Sequence, residues 1–208
     1  MLHFETVEPG TLSLLRQLME LPVLKDFSLV GGTALSLQYG HRNSIDLDLF
    51  YHEKFNSEVI VSNLVSVFGE DFNTESGHRN FGIFATINDI KVDIVYFPHK
   101  PISNFIVKDD IRMYSIADIA AMKIQAILGR GKKKDFWDLY ELLQHFSLQQ
   151  ISDWHKQKYP NQMLAISIPN AITYFTEANE SETPVSFKNQ TWETVKQGIQ
   201  KAVREYLQ

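Results

Sequence analysis

The run Ile45-Asp46-Leu47-Asp48-Leu49-Phe50 alternates residue by residue between apolar and acidic side chains up to its aromatic end. An extended strand with one buried face accepts that order, because successive side chains of a strand point to opposite sides. Ile45, Leu47 and Leu49 are then expected on the core face, with Asp46 and Asp48 together on the other, about 7 Å apart along the chain. The preceding residues narrow the choice of fold. LVGGTALSLQY, residues 29–39, reads as an apolar strand stopped by Gly31-Gly32 and followed by a buried helix of about two turns.

The flanking sequence continues this pattern. Pro9 to Met19 carries Leu12, Leu15, Leu18 and Met19 on one helical face, and Phe55 to Phe68 carries Val59, Ile60, Leu64, Val65 and Phe68 at helical spacing. RNFGIFATI and IKVDIVYF read as two strands joined by a tight Asn88-Asp89 turn. From Ser115 the chain turns helical. Ser115 and Asp118 have capping-box spacing, and helices are expected to about residue 129 and over 134–145, 148–158, 162–178 and 191–207. The spacing predicts an α+β fold, with a small mixed β-sheet flanked by helices in residues 1–112, a helical C-terminal lobe in 113–208, and a cleft between them. A chain of 208 residues, 44% hydrophobic, can fill such a core.

Composition removes several classes of function. Without cysteine there is neither a disulfide nor a thiolate metal site, and without a secretory signal or membrane-length apolar run the expected location is the cytoplasm, with no membrane partner. A net charge of −5 argues against a protein that coats nucleic acid, although RGKKK at 130–134 is a local basic patch able to grip a short stretch. The histidines show no metal-binding spacing, and there is no Walker A lysine, G-x-G-x-x-G or G-x-S-x-G motif.

What remains is acidic and glycine-rich. Asp46 and Asp48 repel each other unless a cation sits between them, and magnesium favours one or two such carboxylates together with substrate phosphates. Alone, D-x-D also fits a strand with an acidic outer face. Asp93 lies in a strand apolar on both sides and needs a partner, either an arginine such as Arg79 or Arg112, or a metal shared with Asp46 and Asp48. Gly31 and Gly32 either make a simple tight turn or let backbone N–H groups at a helix start approach an anion. Arg42 could neutralise an aspartate or touch a phosphate. Lys123 and Arg130 stand a heptad apart, and Lys134 with Asp138 fits an ordinary i, i+4 pair. In the functional alternative, Lys123 and Lys134 serve a triphosphate, with Asp135 as acid, base or positioning group.

In combination, LVGGTALSLQYGHRNSIDLDLF, KVDIVYF and K-x-x-A-x-x-x-R-x-x-x-K-D-x-x-D-L-Y from Lys123 to Tyr140 resemble the AbiEii/AbiGii nucleotidyltransferase toxin family of the polymerase-beta-like nucleotidyltransferase superfamily. The resemblance implies a bacterial toxin of the abortive-infection type, balanced by a separate antitoxin. It also implies transfer of a nucleoside monophosphate from an NTP to an acceptor such as RNA, a tRNA end included, with Mg2+ or Mn2+ as cofactor. Carried over by position, Gly31, Gly32 and Thr33 would cradle phosphates, Gly32-Thr33 standing where the superfamily more often has Gly-Ser. Asp46, Asp48 and Asp93 would bind the metal, and Lys123, Lys134 and Asp135 would be the active residues of the helical lobe, with Arg42 and Arg130 as further nucleotide contacts. Two other readings compete: sugar transfer from a nucleotide sugar by D-x-D chemistry, and a non-catalytic protein that binds a nucleotide or a partner.

Overall fold

A computed structural model describes residues 1–74 and 81–208. The apolar faces read above form helices α1 (Pro9–Glu20), α2 (Gly31–Tyr39) and α3 (Ser57–Phe68), interleaved with strands β1 (Ser28–Leu29) and β2 (Leu47–Tyr51). Strands β3 (Phe72–Asn73), β4 (Gly82–Ile87), β5 (Ile90–Tyr96), β6 (Ile106–Lys108) and β7 (Ile111–Met113) follow. The chain then turns helical through α4 (Ile116–Gly129), α5 (Lys133–Leu143), α6 (Leu148–Lys158), α7 (Ile168–Ile172), α8 (Thr176–Asn179) and α9 (Trp192–Tyr206).

The seven described strands make one mixed sheet in the order β3-β4-β5-β2-β1-β7-β6. β2 runs parallel to β5 and antiparallel to β1, and β5 pairs antiparallel with β4 across the Asn88-Asp89 turn. Both turn residues have positive φ, 52° and 62°, as a two-residue type I′ hairpin requires. Asp109 and Asp110, at φ 51° and 63°, make a second such hairpin between β6 and β7, which the sequence reading did not identify.

Strand alternation sorts the side chains by face. Leu47, Leu49, Val92, Ile94, Ile83 and Ala85 are buried in the core, while Asp48, Phe50, Phe84, Asp93 and Val95 point to the opposite side. One hydrophobic cluster runs from Leu15 and Leu18 of α1 through the sheet to Phe136, Trp137, Ile151 and Ile199 of the C-terminal helices.

Several details depart from expectation. Ile45 is exposed, because the strand begins only at Leu47, and α3 buries Ile60 and Leu64 but leaves Val59 and Val65 exposed. The stretch 162–178 is not one helix: Pro169 sits in the first turn of α7, where its missing N–H costs nothing, and α8 follows separately. Ser115 does cap α4 through Asp118 N–H, and the buried Asp118 carboxylate turns back to the Ser115 hydroxyl at 2.6 Å while its other oxygen takes Lys158 Nζ at 2.6 Å and the Ile102 N–H at 2.9 Å. The strand expected from Arg79 begins at Gly82 within the described residues, and Arg79 itself lies outside them.

Candidate active site

A cavity of about 370 Å³ opens where the acidic face of β2 and β5 meets α4 and the start of α5. Parallel pairing in register sets Asp48 directly beside Asp93. Asp46 precedes β2 and lines the same cavity, as do Gly31, Gly32, Arg42, Lys123, Arg130, Lys134 and Asp135. Of the residues singled out in the sequence, Thr33 is the exception. Its buried hydroxyl donates to the Asp46 carbonyl and lies 2.8 Å from Ser44 Oγ, so it braces the acidic strand from behind and presents no oxygen to a ligand.

The two glycines make room for the site's own side chains. Gly31 has φ +71°, and a Cβ there would lie 2.7 Å from Asp48 Oδ2. A Cβ on Gly32 would lie 2.1 Å from Arg42 Nη2. A carboxylate and a guanidinium therefore close on the first turn of α2, whose start at Val30 has no side-chain cap and leaves N–H groups for an anion.

The carboxylates are under mutual strain. Burial, and then Asp93, push the Asp48 carboxyl up to about 6. Asp93 Oδ2 takes Lys91 Nζ at 2.8 Å, while its buried Oδ1 has no partner. Asp46 Oδ2 accepts from Lys134 Nζ at 3.0 Å. Neither arginine considered for Asp93 is shown to serve it: Arg79 lies outside the described residues, and Arg112, on β7, donates to the carbonyls of Met19, Leu24 and Phe27. Among the described residues no three His, Cys, Asp or Glu side chains form a ready cage for an ion. An unpartnered buried carboxylate oxygen and a raised carboxyl do fit a hard cation that arrives with phosphate oxygens of its own.

Behind the cavity lies a residue that sequence reasoning underrated. Asp138 is no surface partner of Lys134. It is fully buried and takes His41 Nε2 at 2.7 Å, Arg42 Nε at 2.7 Å and Nη2 at 2.8 Å, and Lys123 Nζ at 2.6 Å. Burial alone would raise the Asp138 carboxyl, but Arg42, Lys123 and these hydrogen bonds hold it well below the carboxylate range. Lys123 also reaches Asp135 Oδ1 at 3.1 Å; burial opposes its charge, and Asp138 and Asp135 outweigh that and keep it protonated. It is therefore a doubly paired, buried cation, whereas Lys134 and Arg130 are the more accessible ones on the cavity wall. Asp135 is fully buried, with Arg130 Nε 3.7 Å from its otherwise unpartnered Oδ2. The available signal for Asp138 was a carboxylate on the apolar face of FWDLYELL, since a charge buried there needs partners. Phe50, Phe81 and Phe84, which form the cavity's apolar wall, were likewise not anticipated.

The RGKKK patch divides between two jobs. Arg130 and Lys134 face the cavity, and Lys133 donates to Ser181 O at 2.8 Å, tying down the segment after α8.

A mixed sheet with paired carboxylates at a helix start and a basic helical wall defines a nucleotidyltransferase class of protein. The family model described as nucleotidyl transferase AbiEii toxin, Type IV TA system, matches residues 13–202, and this chain belongs to that family. The Aquifex aeolicus (strain VF5) protein aq_aa25 is 32% identical over 200 residues, spanning 93% of this chain and 94% of its own. A crystal structure of a candidate nucleotidyltransferase from H. pylori shares the fold at a TM-score of 0.58 and 19% identity, over 97% of this chain and 99% of that one. MenT4, a nucleotidyltransferase toxin from Mycobacterium tuberculosis H37Rv, matches at a TM-score of 0.54 and 12% identity, over 93% and 84%. The protein is a nucleotidyltransferase of the AbiEii toxin family.

Proposed function

We propose that the protein moves a nucleoside monophosphate from an NTP to RNA in the cytoplasm, and that an antitoxin protein restrains it. The observation that carries this reading is the convergence of Asp46, Asp48 and Asp93 with Lys134, Arg130 and the open start of α2 around one cavity. In this reading the N–H groups of Gly31 and Gly32 and the cations Lys134 and Arg130 hold the triphosphate, and Lys123 and Arg42, fixed by Asp138, keep the wall positive. Asp46, Asp48 and Asp93 would hold Mg2+ or Mn2+. A bound ion would supply charge neutralisation at the phosphate oxygens and the leaving group.

An acceptor hydroxyl oxygen bonds to the α-phosphorus, and the bond from that phosphorus to the β-phosphate bridging oxygen breaks, releasing pyrophosphate. In this reading the hydroxyl proton passes to solvent water as the oxygen attacks. Asp135, buried against Lys123, acts as the positioning group.

The test is incubation with magnesium, each labelled NTP in turn and total bacterial RNA. The Asp46→Asn/Asp48→Asn variant is expected to lose at least a thousandfold in labelling while keeping its fold by circular dichroism. Full labelling by the variant would sink the proposal, and release of a nucleoside diphosphate from an added nucleotide sugar, with no pyrophosphate released from any NTP, would favour sugar transfer.

A further inference from the structure

A second groove, of about 840 Å³, lies beyond the C-terminal end of β5. The two hollows share their framework. β5 supplies Asp93 and Val95 to the first, and the residues just after it, Phe97 to Lys100, line the second. α4 likewise gives Met122, Lys123 and Ala126 to one and Gln125 to the other. Phe50 on the wall of the first packs on Phe97 of the second, with ring centroids 5.3 Å apart.

The lining has a distinct chemistry. Phe97, His99 and Tyr159 form an aromatic cluster at its base, with His99 4.9 Å from Phe97 and 4.6 Å from Tyr159 and its ring plane inclined to theirs by 56° and 67°. The rim carries amides, Gln157, Asn161 and Gln162, and the exposed Lys100. Among the described residues no carboxylate lines it, although acidic residues outnumber basic ones, 25 to 20, in the whole chain. The hollow beside α1 and the one at the mouth near Pro184 both contain carboxylates. An aromatic cluster, amide donors and acceptors, and an acid-free cationic rim suit an unpaired base and its phosphate.

We propose that this groove holds an unpaired nucleotide of the RNA acceptor, its base stacked on the Phe97 and His99 edge and its phosphate beside Lys100. The inference rests on the reading of RNA as acceptor. The base of the NTP has a wall of its own in the first cavity, Phe50, Phe81 and Phe84, which leaves the groove to the acceptor strand.

The probe is a fluorescent six-nucleotide single-stranded RNA, with binding read by anisotropy, while calorimetry measures each NTP with magnesium. His99→Ala is expected to weaken RNA binding about tenfold. His99→Phe, which keeps a stacking ring, restores it. Lys100→Ala makes the slope of log K against log salt about 0.7 less negative. Lys201→Ala on α9, distant in sequence and exposed, is the control for loss of a positive charge. An unchanged RNA affinity in His99→Ala, or a loss of NTP affinity in its place, would overturn the assignment. The two proposals fail separately. Wild-type protein that binds RNA through His99 yet labels none would refute transfer to RNA and keep the groove; RNA labelling and binding indifferent to His99 would do the reverse.

Discussion

Asp48 shows most directly how chemistry and stability pull apart. Its carboxyl sits beside Asp93 in the parallel register, close over Gly31, and is held at about 6 against an ordinary value of 3.8. A folded value above the unfolded one means that Asp48 contributes stability only at low pH, and that this is lost as pH rises from about 4 through 6. At pH 7 the ionised group costs the fold something. The full conversion of about 1.4 kcal/mol per pH unit is an upper bound for a partly buried group beside an open cavity, and screening there brings it to about 1 kcal/mol. Asp48→Asn should therefore raise the unfolding free energy at pH 7 by roughly that amount and move the urea midpoint upward, even as labelling of RNA is lost. A lower midpoint would show that the carboxylate is structurally required. The strand period placed Asp48 opposite Leu47 and Leu49, and local sequence suffices for that; Asp46, read on the same strand, precedes it. Local sequence could not place Asp138, whose partners His41 and Arg42 stand more than 90 positions away.

At the scale of elements, the start of α2 is where packing is tightest. Gly32 is surrounded because Arg42, drawn in by Asp138, crosses its Cα at a distance no side chain tolerates. Gly32→Ala should push the guanidinium off Asp138, leave a buried carboxylate short of a partner and cost about 3 kcal/mol in a denaturant titration. Gly10→Ala, in α1 with open space around it, is the control and should stabilise by about 0.5–1 kcal/mol. Glycines in a strand-to-helix turn are readable from sequence as a turn; that they yield to an arginine and an aspartate is not. The same limit explains β6 and β7. Their alternating residues are only three to a strand, too few for periodicity to register, and they become strands by pairing with each other and with β1. Proline was the one local signal that should have divided 162–178, because its effect depends on its own ring alone.

For the whole molecule, acid sensitivity is expected where the C-terminal helices α4 and α6 pack on each other. His155 on α6 is buried, with Nε2 3.0 Å from Gln125 Oε1 on α4, and burial pushes its imidazole down to about 4. Between pH 6.5 and 4 the unfolded chain binds a proton that the folded chain refuses, so stability is kept above 6.5 and lost as pH falls through that window. His155→Gln should flatten the decline in urea midpoint between pH 7 and 5; an identical decline would place the acid sensitivity elsewhere. Asp138, held far lower, acts only at still lower pH. The sequence by itself determined the segments: which stretches form the long helices, that Asp48 lies opposite Leu47 and Leu49 on one strand, that a glycine pair ends one strand and opens a helix. Periodicity does this because each face is written in residues two, three or four apart. Only the tertiary structure decided the company those segments keep. The parallel register that sets Asp48 beside Asp93, the burial of Lys123 and Asp138 in one network, and the second groove beyond β5 all join residues distant in the chain, where burial and charge neutralisation select the partners and local spacing carries no trace of them.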